Sequence, residues 1–182
     1  MSNVSTWLDN MAKGTGLNVN SDHAKQLLDM TMGIESQFGK YKKQVGGGPA
    51  EGIFQIEPST RKDLLRYAQQ RQPKIYRHLQ SLPSGDEKDA VLARTKYWMS
   101  PNPIPEDDAG KAQYWKKNFQ AGGTRGATAE QALARYQEGK KKPTVQESFQ
   151  QPMLTPDNIV FPGGRIDTSY QHKIDRFRNW QN

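Results

Sequence analysis

Apolar residues in this chain recur mostly at intervals of three and four, the spacing of one face of an α-helix, and breakers cut the recurrence into separate segments. Ala24, Leu27, Leu28, Thr31, Ile34 and Phe38 form the clearest such stripe. Ser21 is placed to cap its first turn and Gly39 to stop its last, which predicts a helix from Ser21 to about Phe38. A short helix around Ser5 to Lys13 precedes it, with a glycine-rich link at Gly14-Thr-Gly16. Between Gly39 and Pro58, the breakers Gly46, Gly47, Gly48, Pro49 and Gly52 exclude a helix and predict a loop or small hairpin. Pro58 then opens a helix through Leu64, Leu65 and Tyr67 to about Gln70, where Gln72-Pro73 interrupts it. Further helices are expected over Pro73 to Ser81 and over Asp86 to Met99. The second of these has Ser84 or Asp86 as its cap and Ala90, Val91, Ala93, Arg94 and Tyr97 at helical spacing. Ser100-Pro-Asn-Pro-Ile-Pro105 ends that helix. Asp107 to Phe119 and Thr128 to about Gly139 complete a mainly α fold.

After Gly139 the pattern changes. Residues 140–182 hold Pro143, Pro152, Pro156 and Pro162, few aliphatic residues, and seven basic against four acidic side chains. Such a segment builds no core of its own and reads as an extended tail. Ile159-Val-Phe161 and Phe177-Arg-Asn-Trp180 are apolar anchors within it, suited to docking on another protein or on the chain's own domain. The expected organisation is therefore an N-terminal arm over 1–19, a helical domain over 20–139 and a docking tail over 140–182.

Composition narrows this picture only in part. At 182 residues the chain can bury one substantial core, although its hydrophobic fraction of 34% leaves part of it outside that core. No apolar run of membrane-spanning length is present, and Met1-Ser-Asn-Val-Ser-Thr-Trp-Leu-Asp-Asn10 lacks the charged and apolar regions of a signal peptide. The absence of cysteine excludes disulfides and thiolate zinc sites. His23, His78 and His172 show no metal-ligand spacing, so no metal and no cofactor is expected. With 26 basic and 19 acidic residues the chain carries +7, which suits an anionic partner without choosing among wall polymer, membrane surface and nucleic acid.

Glu35 is the residue whose position implies chemistry. It lies seven residues after Leu28, on the apolar stripe, and in the last turn of its helix. Desolvation and the negative end of the helix dipole both favour its protonated form, as a general acid working near neutral pH requires. The alternative is an exposed, solvated helical glutamate. Opposite it in sequence, the glycine-rich stretch supplies backbone that a ligand can approach closely. A phosphate-binding loop is discounted, because no Gly-Lys-[Ser/Thr] follows.

Glu35-Ser36, followed at the right distance by Gly52, Ile53, Gln55, Ile56, Pro58 and Thr60, resembles the soluble lytic transglycosylase and goose-type lysozyme superfamily. That family's pattern is Glu-Ser, then Gly-[Leu/Ile]-x-Gln-[Ile/Val/Met]-x-Pro-x-Thr. The likeness covers roughly residues 20–65. Arg94-Thr-Lys-Tyr-Trp98 and Tyr114-Trp-Lys-Lys-Asn-Phe119 look more like phage-encoded members. The resemblance implies a lysozyme-like domain that cleaves the β-1,4 bond between N-acetylmuramic acid and N-acetylglucosamine in peptidoglycan. Glu35 would first donate a proton, then take one from the sugar's own C6 hydroxyl to close a 1,6-anhydro ring. Ser36, Gly52 and Gln55 would contact substrate, the alternatives being a bond to its own backbone for Ser36 and a loop-fixing amide for Gln55, and Tyr97 would stand where the family's third motif places a tyrosine beside the acid. Here the chain departs from the pattern: Ala-Tyr-Asn-Ala-Gly is absent, and core packing is the alternative for Tyr97. Trp98, Tyr114 and Trp115 are open to stacking on sugar rings or to the core.

The resemblance also implies a place of action, a phage virion reaching the host periplasm or cell wall, with the tail binding other virion or tail proteins. Two rivals remain at this stage. A hydrolysing muramidase or endolysin would need a second carboxylate, but Glu51 and Glu57 occupy variable positions of the pattern and read as solvated. A phage tail structural or adaptor protein would keep the lysozyme-like scaffold without its chemistry. Specific nucleic-acid binding has only the charge behind it.

Overall fold

A computed structural model describes residues 3–120 and 127–141. Among them the chain is mainly helical, in the order α1 (Asn3–Thr15), α2 (Asp22–Ser36), α3 (Pro58–Arg71), α4 (Pro73–Ser81), α5 (Asp86–Trp98), α6 (Asp108–Asn118) and α7 (Ala129–Lys141). Two isolated antiparallel bridges, Lys43 with Glu51 and Glu51 with Ile56, are the β pairing seen in the glycine-rich loop. No described helix is long and apolar enough to cross a membrane. All seven helices belong to one compact unit. Lys140 and Lys141 form the end of α7, and the rest of the expected tail lies outside the described residues.

Helix boundaries follow local chemistry. The Ser21 hydroxyl accepts the Ala24 amide at 3.3 Å, capping α2 as its position predicts. Asp107 caps α6 by accepting the Gly110 amide at 2.7 Å. Thr128 and Gln131 exchange bonds at 3.0 and 3.2 Å, a reciprocal capping box that opens α7. At α5 the expected side-chain cap is missing: Gly85 occupies the cap position, and Asp86, Glu87 and Asp89 in the first turn face the positive end of the dipole instead.

The central helices are α2 and α5, each buried on more than one face. Helix α2 packs against α1, α5, α6 and α7, while α5 packs against α1, α2, α3 and α4. This burial brings Arg94 inside, where its Nε donates to the Val19 carbonyl at 2.8 Å and its guanidinium lies 5.0 Å from the Trp98 ring centre. Desolvation lowers the Arg94 pKa to about 10.

Two expectations are corrected. The N-terminal segment is no arm on the domain, because Val4, Leu8 and Met11 of α1 are completely buried in the main core. Gly14 permits that docking: a Cβ there would fall 2.5 Å from Nδ1 of His78 on α4. The stop of α2 also comes before Gly39. Gln37 and Phe38 already adopt left-handed backbone, at φ 50° and 58°. Phe38 thus leaves the helical stripe, and its ring packs 5.9 Å from that of Tyr136. Gly33 and Gly139 make room for it, since a Cβ on either would meet the Phe38 ring at 2.7 to 2.8 Å.

Leu8→Ala tests the status of α1. Emptying a fully buried leucine site costs about 2–5 kcal/mol. Urea unfolding should therefore lose that much stability in one cooperative transition of the helical unit, whereas a peripheral arm would leave the midpoint unchanged.

Candidate active site

The last turn of α2 places Glu35 among side chains from α5 and α6. Trp115 of α6, itself 1% exposed, donates its indole Nε1–H to Glu35 Oε1 at 3.0 Å. Lys96 of α5 lies close enough for its charge to act on the carboxyl. Burial dominates this environment and raises the Glu35 pKa from 4.5 to about 7, against the lowering effects of the Trp115 bond and of Lys96. An indole can donate but cannot accept. Oε1 is therefore held as an acceptor, and in the protonated acid the proton resides on Oε2. The arrangement is a protonated carboxyl with a fixed proton position, able to donate and then to recover a proton near neutral pH.

The other expected site residues occupy structural positions. Ser36 is completely buried. Its hydroxyl lies 2.7 Å from the Ile53 carbonyl and 3.0 Å from the Met32 carbonyl as donor, and accepts the Gly39 amide at 2.9 Å. It joins the end of α2 to the turn at 52–56 and does not face a ligand. Gly52 is required by close approach: its φ is +79°, and a Cβ there would fall 1.9 Å from Asp89 Oδ2. Asp89 pairs with Arg61 at 2.5 Å, and Arg61 also donates to the carbonyls of Ile56 and Glu51. Gln55, at φ 46°, donates Nε2 to the carbonyls of Gly52 at 2.8 Å and Tyr41 at 3.1 Å. Its amide fastens the loop.

Tyr97 is 1% exposed, so the expected substrate contact gives way to core packing. Thr31 donates its hydroxyl proton to the Leu27 carbonyl at 2.7 Å, so across the 2.7 Å contact between the Tyr97 and Thr31 hydroxyls the tyrosine is the donor. That proton is unavailable to Glu35. The Tyr97 ring lies 5.8 Å from Tyr114 and 5.3 Å from Phe119. Burial and the nearby Glu35 charge push its hydroxyl well above the ordinary tyrosine range. Tyr114 is likewise buried, with its hydroxyl on the Asn102 carbonyl.

Trp115 and Lys96 are neighbours of Glu35 that sequence reasoning did not assign to it. The spacing of Ala112, Trp115 and Phe119 marks a buried face of α6, yet nothing in a periodicity tells which buried aromatic turns a donor toward a carboxyl 80 residues earlier. The Arg61–Asp89 pair spans 28 residues and is equally invisible locally. Among the described residues no cluster of histidines and carboxylates is arranged to hold a metal.

The Glu35 environment implies a stability cost with a definite sign. A carboxyl whose pKa rises on folding takes up a proton in the folded state, so stability is greatest below about pH 4.5 and declines as pH rises toward about 7. Glu35→Gln removes this dependence. At pH 8 the variant should be more stable than wild type by roughly 3 kcal/mol, and at pH 4 equal to it; identical stabilities at both pH values in chemical denaturation would count against a desolvated Glu35. Comparison with family models, curated proteins and solved structures finds no match for this chain, so the interpretation of the site rests on its own geometry and chemistry.

Proposed function

We propose that this chain carries a lysozyme-like domain acting as a peptidoglycan lytic transglycosylase, with Glu35 as the acid. One observation carries the proposal: a carboxyl at the end of a buried helix, desolvated to a pKa of about 7 and held through one oxygen by Trp115. Glu35 protonates the glycosidic oxygen, and the bond to the N-acetylmuramic acid C1 breaks with the electron pair leaving on that oxygen. The resulting Glu35 carboxylate then takes the proton of the C6 hydroxyl as O6 bonds to C1. The acid is regenerated, water is not consumed, and no cofactor takes part.

The Glu35-Ser36 and Gly52 to Thr60 blocks support this reading by being one structural unit, joined through the Ser36 hydroxyl. Tyr41 is the proposed sugar contact of that unit. Its amide donates to the Ser36 carbonyl at 3.0 Å and its carbonyl accepts from Gln55, while the side chain stays exposed. An exposed aromatic whose backbone is bonded to the residue after Glu35 suits stacking on a pyranose ring, with the Lys40 ammonium 5.1 Å from the ring centre. Delivery in a phage particle belongs to the same proposal. The anchors at Ile159-Val-Phe161 and Phe177-Arg-Asn-Trp180 support docking of residues 140–182 on other virion proteins, and the net charge of +7 suits an anionic wall.

One observation favours a second reading, hydrolysis. Glu57, at the cap position of α3, acts on the same Lys96 ammonium as Glu35 and is an exposed carboxylate that could activate water.

Digestion of purified peptidoglycan, with the products analysed by mass spectrometry, separates these readings. Wild type should release 1,6-anhydro products, and Glu35→Gln should lose about 10²–10⁴-fold in rate. Reducing ends would establish a muramidase, and intact wall after wild-type treatment would leave a structural or adaptor role. The wild-type rate should also fall as pH rises through about 7, where Glu35 gives up its proton.

A further inference from the structure

Lys96 is a half-buried cation with a defined seat. Its Nζ donates to the Phe119 carbonyl at 2.5 Å and lies 4.5 Å from the centre of the Phe119 ring. Phe119 caps α6, and its own amide bonds the Trp115 carbonyl at 2.8 Å. An ammonium on the last carbonyls of a helix is favourably placed against the dipole. Here it also clamps the turn that presents Trp115 to Glu35.

We propose that Lys96 is the positioning residue of the site: it holds the last turn of α6 so that Trp115 meets Glu35, and it supplies a cation shared by Glu35 and Glu57. The charged groups facing it come from three elements, Glu35 at the end of α2, Glu57 at the start of α3, and the carbonyl and ring of Phe119 closing α6. Its role follows from a conflict within Glu35. Burial alone keeps the proton on and makes the acid reluctant to yield it. A nearby cation stabilises the carboxylate left after donation and draws the two proton steps toward equal difficulty. The ammonium is itself desolvated, so its charge is less screened by water.

This inference rests on Glu35 being the acid, but its test does not need turnover. Lys96→Met keeps most of the packing of the aliphatic stem and removes the ammonium. Carbon-13 NMR of the Glu35 carboxyl should show its titration move upward by roughly one pH unit in Lys96→Met, and stay near the wild-type value in Lys96→Arg. Coupling must be reciprocal, so Glu35→Gln should lower the titration of the Lys96 ammonium, followed by NMR of labelled lysine. That second arm uses a near-isosteric change and decides the question if Lys96→Met does not fold. A Glu35 titration unmoved in folded Lys96→Met, or a Lys96 titration unmoved in Glu35→Gln, would overturn the assignment. Failure of wild type to cleave peptidoglycan would instead overturn the acid reading and leave the measured coupling intact.

Discussion

A single buried hydroxyl organises this half of the molecule. Ser36 sits where α2 ends, completely excluded from water, and a polar group so placed must find its partners inside the protein. It finds them in the Ile53 carbonyl, the Met32 carbonyl and the Gly39 amide. The first of these fixes the 52–56 turn against the helix end. With the turn in that place, Gly52 lies on the Asp89 carboxylate too closely for any side chain, and Arg61 can reach Asp89 and two carbonyls of the same turn. The strained left-handed backbone at Gln55 is then tied down by its own side-chain amide. Together these restraints fix the end of α2, where Glu35 is partly buried.

Burying a carboxyl costs stability unless it is paired, and Glu35 is only partly compensated. One oxygen has the Trp115 indole, and the Lys96 charge acts without direct pairing. Full pairing with an arginine would have lowered the pKa and removed the acid, whereas no partner at all would have locked the proton on. The intermediate arrangement leaves the group near neutrality. The stability lost as pH rises from about 4.5 to about 7 is the thermodynamic counterpart of that poise, and the fully buried cores of α1, α2 and α5 offset it.

Helix positions were largely legible from the chain because their causes are local. Prolines at 58 and 73 open α3 and α4, Ser21 and Thr128 supply cap oxygens, and the proline run at 101–105 separates α5 from α6. Glu35 was legible as a desolvated carboxyl for a similar reason, since apolar spacing on its own helix reports which face is covered. The errors arise where distant chain decides. Val4, Leu8 and Met11 lie at helical spacing and mark a covered face, but nothing between residues 1 and 19 reveals that α1 packs on α2, α4 and α5 as part of the main core. Phe38 continues the helical spacing of α2, but the slot between Gly33 and Gly139, one of them 101 residues away in α7, draws it out of the helix. Trp115 and Lys96 reach Glu35 only through the packing of α5 and α6 around α2.

The four residues expected beside Glu35 to touch substrate share one outcome. Ser36 and Tyr97 spend their hydroxyls, Gln55 its amide nitrogen and Gly52 its lack of a side chain on the protein itself. A sequence block around a chemical group therefore records two demands at once, a reacting side chain and a backbone path that can hold it. In this chain the second demand accounts for most of the block. A helix ending in a partly buried acid needs its terminal carbonyls and amides satisfied, and a tight turn of glycine, glutamine and paired charges does this in few residues. Ligand contacts would then fall to side chains that the same restraints leave exposed, of which Tyr41 is the clearest: its amide and carbonyl are both bonded while the residue remains 39% accessible.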